Sequence, residues 1–450
     1  MTALVRHPGA GRDPAVRGWR IKNRIPAFAG MTMSMLLFTG IASAQDLLIR
    51  NATVHTASAR GTLPSTDVLV KQGRIAAIGS QLPAGSATVV DAQGKPLTPA
   101  LFGGITDIGV EEVSGESTTV DNALALGSGA ADMRVRPEFD VTTAYNPESI
   151  LVPVARVEGI GWTVLAAGSK AGGSFIGGQG GTVRLDGSLD AIGPRMLFVS
   201  LGGDGASLSG SSRAAQWMLL DQLLDEVRGR IPQDSQFALL TPAGRTALAK
   251  YLGGGGRVLV RIQRAADITR LLRWSQQRGV SIALLGAAEA WKVAPQLAAA
   301  EVPVFVDALA NLPADFDSLG ARLENAARLH AAGVRVSFSQ SGDASHNARK
   351  IRQLAGNAVA NGLPWEAALA GLTSVPAATV GVAGELGTIA IGQRADLVLW
   401  SGDPLDVANV AQQVWLDGRA IPMRSRQTEL RDRYLHGETG LPRAYPNDAR

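Results

Sequence analysis

The chain has 450 residues, of which 46% are hydrophobic and none is cysteine. That much apolar material excludes a wholly disordered polypeptide, and the lack of thiols excludes disulfides and thiolate metal sites. The net charge of +4 does not argue for a nucleic-acid partner: six of the 43 Lys/Arg but one of the 39 acids fall in residues 1–44, so the remainder is close to neutral.

Residues 1–44 read as a secretion leader, with a basic stretch ending at Arg24, an apolar run from Met31 to Ile41, and Ala42-Ser43-Ala44 fitting the small-x-small cleavage rule. Cleavage after Ala44 predicts a periplasmic or secreted protein starting at Gln45, with no membrane span in the mature chain. The segment RHPGAGRDP followed by IPAFAGMT resembles a translated repetitive bacterial element, which moves the expected start to Met31, Met33 or Met35. The alternative is a disordered N-terminal extension.

From Leu47 to Val90 the text predicts short antiparallel strands, with Lys71-Gln72-Gly73-Arg74 as a hairpin turn. GTIAIGQRADLVLW, Gly387 to Trp400, predicts two more strands around a turn at Gly392. The two ends of the chain are therefore expected to build one small sheet domain.

Between them, strands and helices alternate. Strands are expected at Leu101 to Thr106, Trp162 to Ala166, Met196 to Val199, Arg257 to Ile262, Ser281 to Gly286, Pro303 to Leu309 and Val334 to Ser339. Helices are expected over DITRLLRWSQQRG with Asp267 as N-cap, through AWKVAPQLAAA, and along Leu319, Leu323, Ala326 and Leu329. This alternation predicts an α/β fold, a TIM-type (β/α)8 barrel, with a doubly wound open sheet as the alternative and the fourth strand left unplaced. RSRQTELRDRY, Arg424 to Tyr434, predicts a charged, solvated closing helix, with partner docking as the other reading.

Motifs along the chain then point to a family. PALFGGITDIGV, Pro99 to Val110, resembles the first barrel strand of the amidohydrolase superfamily, Pro-Gly-Leu-Ile-Asp-Ala-His-x-His-x-Gly, with Pro99, Leu101 and Gly109 matched and Ile105 and Asp107 at the histidine positions. VKQGRIAAIG before VVDAQGKPLTPALF, AARLHAAGVRVSFS, AVANGLPWEAALAGLTSVPAATVGV and GTIAIGQRADLVLWSGDPL extend the resemblance from Leu47 to Pro422, closest to the imidazolonepropionase-like branch. With residues 1–44 read as a leader, the resemblance implies a composite β-sandwich domain from 45–98 and 386–424. Residues 99–385 form the barrel and 425–450 a tail.

It also implies a metal-dependent hydrolase of carbon–nitrogen bonds other than peptide bonds. Carried across, the fifth-strand ligand motif falls on Arg261-Ile262-Gln263, the sixth-strand histidine near Leu285, and the eighth-strand aspartate on Ser341 or Asp343. Of the mature chain's histidines, His55, His330, His346 and His436, none is at a ligand position. Metal binding lowers the pKa of water from about 15.7 to about 7, which is about 12 kcal/mol of nucleophile activation that one carboxylate does not replace. The expectation is no cofactor, with zinc or another divalent metal required only if hydrolysis is retained.

Candidate pocket residues are Asp107, Gln263, Asp343 and His346, each with a bland alternative: ion pairing of Asp107 with Arg261 or Arg264, local hydrogen bonding of Gln263, and helix capping by Ser345 beside His346. Glu289 is expected to serve the first turn of its own helix. GGSFIGGQGG, Gly172 to Gly181, is not a P-loop and is expected to form a loop over the barrel mouth from which Lys170 and Gln179 reach a ligand. Three functions follow. The first is a degenerate member that binds a small molecule or supports an active paralogue. The second is a working hydrolase with a divergent site. The third is an assembly subunit or homo-oligomer whose mouth is filled by apolar side chains.

Overall fold

The computed structural model describes residues 46–126, 135–252, 254–310 and 312–435. The leader with its cleavage site, His436 and the tail beyond residue 435 lie outside the described residues. No helix among the described residues is long and apolar enough to cross a membrane.

The N-terminal strands are β1 (Leu47–His55), β2 (Thr62–Lys71), β3 (Arg74–Gly79), β4 (Thr88–Asp91) and β5 (Pro96–Pro99). The chain returns to them as β14 (Leu397–Trp400), β15 (Ala411–Leu416) and β16 (Arg419–Ala420). The order is β16-β15-β14-β5-β1-β2-β3, with β4 also on β1. These strands form one hydrogen-bonded sheet made from both chain ends, and residues of β1, β2, β5, β14 and β15 share one core. Gln72 and Gly73, both at positive φ, close the β2–β3 hairpin at the expected place. Only the second half of GTIAIGQRADLVLW is a strand; Ile389 and Gly392 make single backbone bonds to Thr56 and Ile75.

The second sheet holds β6 (Leu101–Thr106), β7 (Ile160–Leu165), β8 (Ile176–Arg184), β9 (Ile192–Ser200), β10 (Val258–Ile262), β11 (Ile282–Gly286), β12 (Val304–Val306) and β13 (Val336–Phe338), in that order. It is nearly closed: the Ile105 N–H donates to Ser339 Oγ at 3.1 Å, linking the first strand to the residue after the last. Seven strands run one way and β8 runs against both neighbours, so the expected all-parallel barrel is corrected at this strand.

That strand takes up residues 176–181 of the glycine-rich segment assigned above to a mouth loop. Its glycines permit close approach: a Cβ on Gly180 would lie 2.0 Å from the Leu165 carbonyl, and Gly178 sits at φ +126. The requirement is steric, so the cluster belongs to a packed strand.

Side chains alternate along the barrel strands. Val258, Val260, Ile262, Ile282, Leu284, Val304 and Val306 pack outward in the large core with the surrounding helices. Leu259, Ala283, Leu285, Phe305, Phe102, Trp162 and Phe198 fill the interior core. The Phe102 ring centre lies 4.6 Å from that of Trp162 and 6.0 Å from that of Phe305, so the barrel centre is packed with rings.

Helix Ala265–Arg278 forms as expected and ends at Gly279 in the left-handed region. Its N-cap is Arg264; Asp267 lies in the first turn, where it pairs with Arg213 and Arg264. AWKVAPQLAAA becomes a 3-10 turn followed by helix Ala294–Ala299. The helix expected from Leu319 starts only at Asn325, leaving Leu319 exposed while Arg322 and Arg328 stack on Trp291. The closing helix Arg426–Leu435 buries no residue.

Candidate functional site

Strand direction collects the polar side chains at one end of the barrel. A cavity of about 490 Å3 opens where seven strands end, and segments following β6, β7, β9, β10, β12 and β13 contribute to its wall. Its apolar base is Ile105, Phe198, Leu259 and Leu285; its polar lining includes Asp107, Asn122, Ser200, Asp204, Arg261 and Gln263. The mouth is thus an open polar cavity, and the expectation of a mouth filled by apolar side chains is not met.

Arg261 is the residue that sequence reasoning passed over as a binding group. Leu259 and Arg261 are two apart on β10, so both point inward, and Arg261 stands in register with Ser200 on β9 and Leu285 on β11. The available signal was strand period: a charged residue in phase with inward Leu259 points into a barrel.

Asp107 follows β6 and its carbonyl accepts the Val110 and Glu111 amides, a tight turn that holds its side chain at the cavity. Burial, then nearby Glu111, push its carboxyl up to about 6; the Asn122 side chain and the Arg261 charge oppose this, and Asp343 adds to it. The pairing expected with Arg261 or Arg264 is absent among the described residues: Arg264 pairs with Asp267, and Arg261 acts on Asp107 only through space.

Gln263 lines the cavity as expected and is held by both ends of its amide, donating to Asp204 at 3.4 Å and accepting the Ala288 amide at 3.2 Å. Asp343 and His346 are not in the cavity wall, which at that point is formed by Ser341 and Ala344. They instead join Glu111, each of the three offering a ligand atom within 4.8 Å of the others. Asp343, at φ 45, is the N-cap residue of the short helix Ala344–Asn347, and Ser345 donates to Glu111 at 3.4 Å in place of the capping expected of it.

Two ligand-reaching residues are corrected. Lys170 is exposed and outside the lining, where its neighbour Ser169 stands. Gln179, on β8, accepts a hydrogen bond from the Tyr251 hydroxyl at 2.8 Å and is likewise outside the cavity. Glu289 is also placed differently from expectation: it accepts the Ala265 amide of the preceding helix, the Gly320 amide and Lys292, and so ties three segments together.

The fold and this site define a barrel with a composite β domain, and the comparisons place it. Residues 274–421, about a third of the chain, match the Amidohydrolase family model. An amidohydrolase structure from Thermotoga maritima MSB8 is similar over 84% of this chain and 100% of its own, with a TM-score of 0.72 and 23% identity, which shows a shared fold. Amidohydrolase tasK of Hapsidospora irregularis is 51% identical over 59 residues, which is 13% of this chain and 6% of that protein. The chain's match therefore spans a small part of that curated relative.

Members of this family commonly hold zinc or another divalent metal. Three of the positions implied for metal ligands supply no donor, Ile105 and Leu285 being aliphatic and Arg261 cationic, while Asp107 and Gln263 keep oxygen atoms at the same cavity. Glu111, Asp343 and His346 are a different set, beside the cavity, with two oxygen donors and one nitrogen donor.

Proposed function

We propose that this chain is a degenerate amidohydrolase-like barrel that binds a small molecule at its mouth and does not carry out the metal-activated hydrolysis typical of the family. One observation carries the reading: among the positions implied for metal ligands Ile105, Arg261 and Leu285 supply no donor and Asp107 supplies a carboxylate in place of an imidazole, yet the cavity around them measures about 490 Å3 with a mixed polar and apolar lining. A guanidinium and two aliphatic side chains supply no lone pair to a cation, whereas a cavity of this size and lining suits a compact organic ligand. The leader motif supports export, so the ligand is expected in the periplasm or outside the cell.

Metal analysis of purified protein equilibrated with zinc, together with assays on amide and cyclic amide substrates, tests this. Substoichiometric metal and no metal-dependent turnover are expected. Stoichiometric zinc with zinc-dependent turnover overturns the reading.

A second reading, an active hydrolase of carbon–nitrogen bonds with a divergent site, is favoured by the approach of Glu111, Asp343 and His346 to one another beside Asp107. On that reading, D343A and H346A each abolish turnover.

A further inference from the structure

We propose that Arg261 anchors a ligand carboxylate, and that the ligand of this cavity is a small monocarboxylate with a hydrogen-bond-donating nitrogen at its other end. This rests on the ligand-binding reading above and names its ligand class.

Arg261 is set apart by what it lacks. Other partly buried arginines of the fold are committed: Arg195 to Asp140, Arg213 to Asp267 and Asp317, Arg394 to Asp186 and Asp396. Arg352 is spent on the carbonyls of Pro404, Asp406 and Asn409. Among the described residues, the Arg261 guanidinium has no acceptor at hydrogen-bond distance and no carboxylate within ion-pair distance, although Arg261 lines the cavity between Ser200 and Leu285. Half-buried and without a protein partner among the described residues, this guanidinium keeps its donors available to an incoming anion. Its planar fork matches a carboxylate through two parallel N–H donors.

The rest of the wall selects among anions. Asp107, Asp204 and Asp315 all line the cavity, so a dianion such as phosphate meets three carboxyl groups while gaining one guanidinium. Two of the three are already engaged. Asp315 accepts the Asp317 and Ser318 amides and the Ser318 hydroxyl, and Asp204 accepts Gln263. The Asn122 amide beside Asp107 donates to Glu111 at 3.2 Å, which leaves the Asp107 carboxyl with acceptor capacity at the cavity. A ligand nitrogen donating to Asp107 and a ligand carboxylate on Arg261 satisfy both, with an apolar middle over Ile105, Phe198 and Leu285. A cavity of about 490 Å3 suits molecules of the size of an amino acid or dipeptide.

The test uses the mature chain and a panel of free L-amino acids and glycyl dipeptides, each paired with its C-terminal amide, read by calorimetry and thermal shift. At least one acid is expected to bind about tenfold or more tighter than its amide, the scale of one charge-assisted interaction. Arg261→Gln, checked for an unchanged circular dichroism spectrum, is expected to erase that preference, and Arg261→Lys to keep part of it. Ala344→Trp, which fills the cavity wall, is expected to block both partners of each pair. If acids and amides bind equally and Ala344→Trp blocks both, the cavity reading stands and the carboxylate assignment fails. If no acid binds, or Arg261→Gln leaves the preference intact, the assignment is overturned. If binding persists unchanged in Ala344→Trp, the cavity reading falls with it.

Discussion

The Ser339 hydroxyl accepts a hydrogen bond from the Ile105 amide at 3.1 Å, and this contact joins the first barrel strand to the end of the last. Ser339 is 1% exposed, so water does not replace the bond when the hydroxyl is removed. Ser339→Ala is expected to leave the Ile105 N–H unpaired at a cost of about 1–3 kcal/mol. Denaturant titration measures the loss, and amide exchange is expected to speed up at Ile105 more than at the opposite side of the barrel, for example at Leu259. An unchanged midpoint would mean that other contacts close the sheet.

Arg394 ties the barrel to the composite sheet. It bonds to Asp186 just beyond β8, to Asp396 at 2.9 Å and to Asp417 at 3.5 Å, and Asp186 and Asp396 are both largely buried. Burial drives the Asp396 carboxyl up and the Arg394 charge opposes it, so the ion pair keeps the carboxylate tolerable inside the fold. Arg394→Ala strands two buried acids and is expected to cost about 3–5 kcal/mol. A chemical denaturation series from pH 5 to pH 8 checks it, with the variant losing most at the alkaline end, where both acids are charged.

Much of this architecture is legible in the chain because it follows from period and turn chemistry. β6 occupies the expected residues, the β2–β3 hairpin turns at Gln72-Gly73, and the helix before Gly279 stops where the glycine predicts. What fails has a common cause in tertiary contact. The Gly172–Gly181 cluster reads locally as a loop, but its second part from Ile176 on belongs to a reversed strand whose glycines lie close against the Leu165 and Phe139 carbonyls, contacts that local sequence does not reveal. Leu319 has helical spacing to Leu323, yet local pattern does not reveal that no neighbour covers it. At the site, Asp107 and Gln263 were identifiable from strand ends, whereas the approach of Glu111 to Asp343 and His346 depends on closing residues 111 and 343 across the barrel seam.

Gly286 positions Gln263. It sits at φ +86 at the end of β11, and an added Cβ would lie 2.6 Å from Gln263 Nε2. Gly286→Ala therefore combines left-handed backbone strain with displacement of the Gln263 amide, and is expected to destabilise the fold by about 1–3 kcal/mol. Gln263→Ala removes the obstacle, so the double variant is expected to recover part of that loss. A double-mutant cycle by thermal denaturation measures the coupling, and strictly additive losses would show that the clash is not the cause.

Asp107 gives a pH dependence whose sign follows from its position. Its carboxyl lies at about 6 in the folded chain, above the ordinary aspartate value, chiefly through burial and secondly through Glu111. The folded state therefore holds this proton more tightly than the unfolded chain, and between about pH 4 and pH 6 the folded state binds more protons. Stability from this group is full below about pH 4 and is lost as pH rises through about 6, by at most about 3 kcal/mol. Asp107→Asn, which cannot ionise, is expected to flatten the stability profile in that window and to exceed the parent protein above pH 7. Urea midpoints at half-unit intervals from pH 4 to pH 8 measure the difference; parallel curves for the two proteins would place the Asp107 carboxyl outside this range.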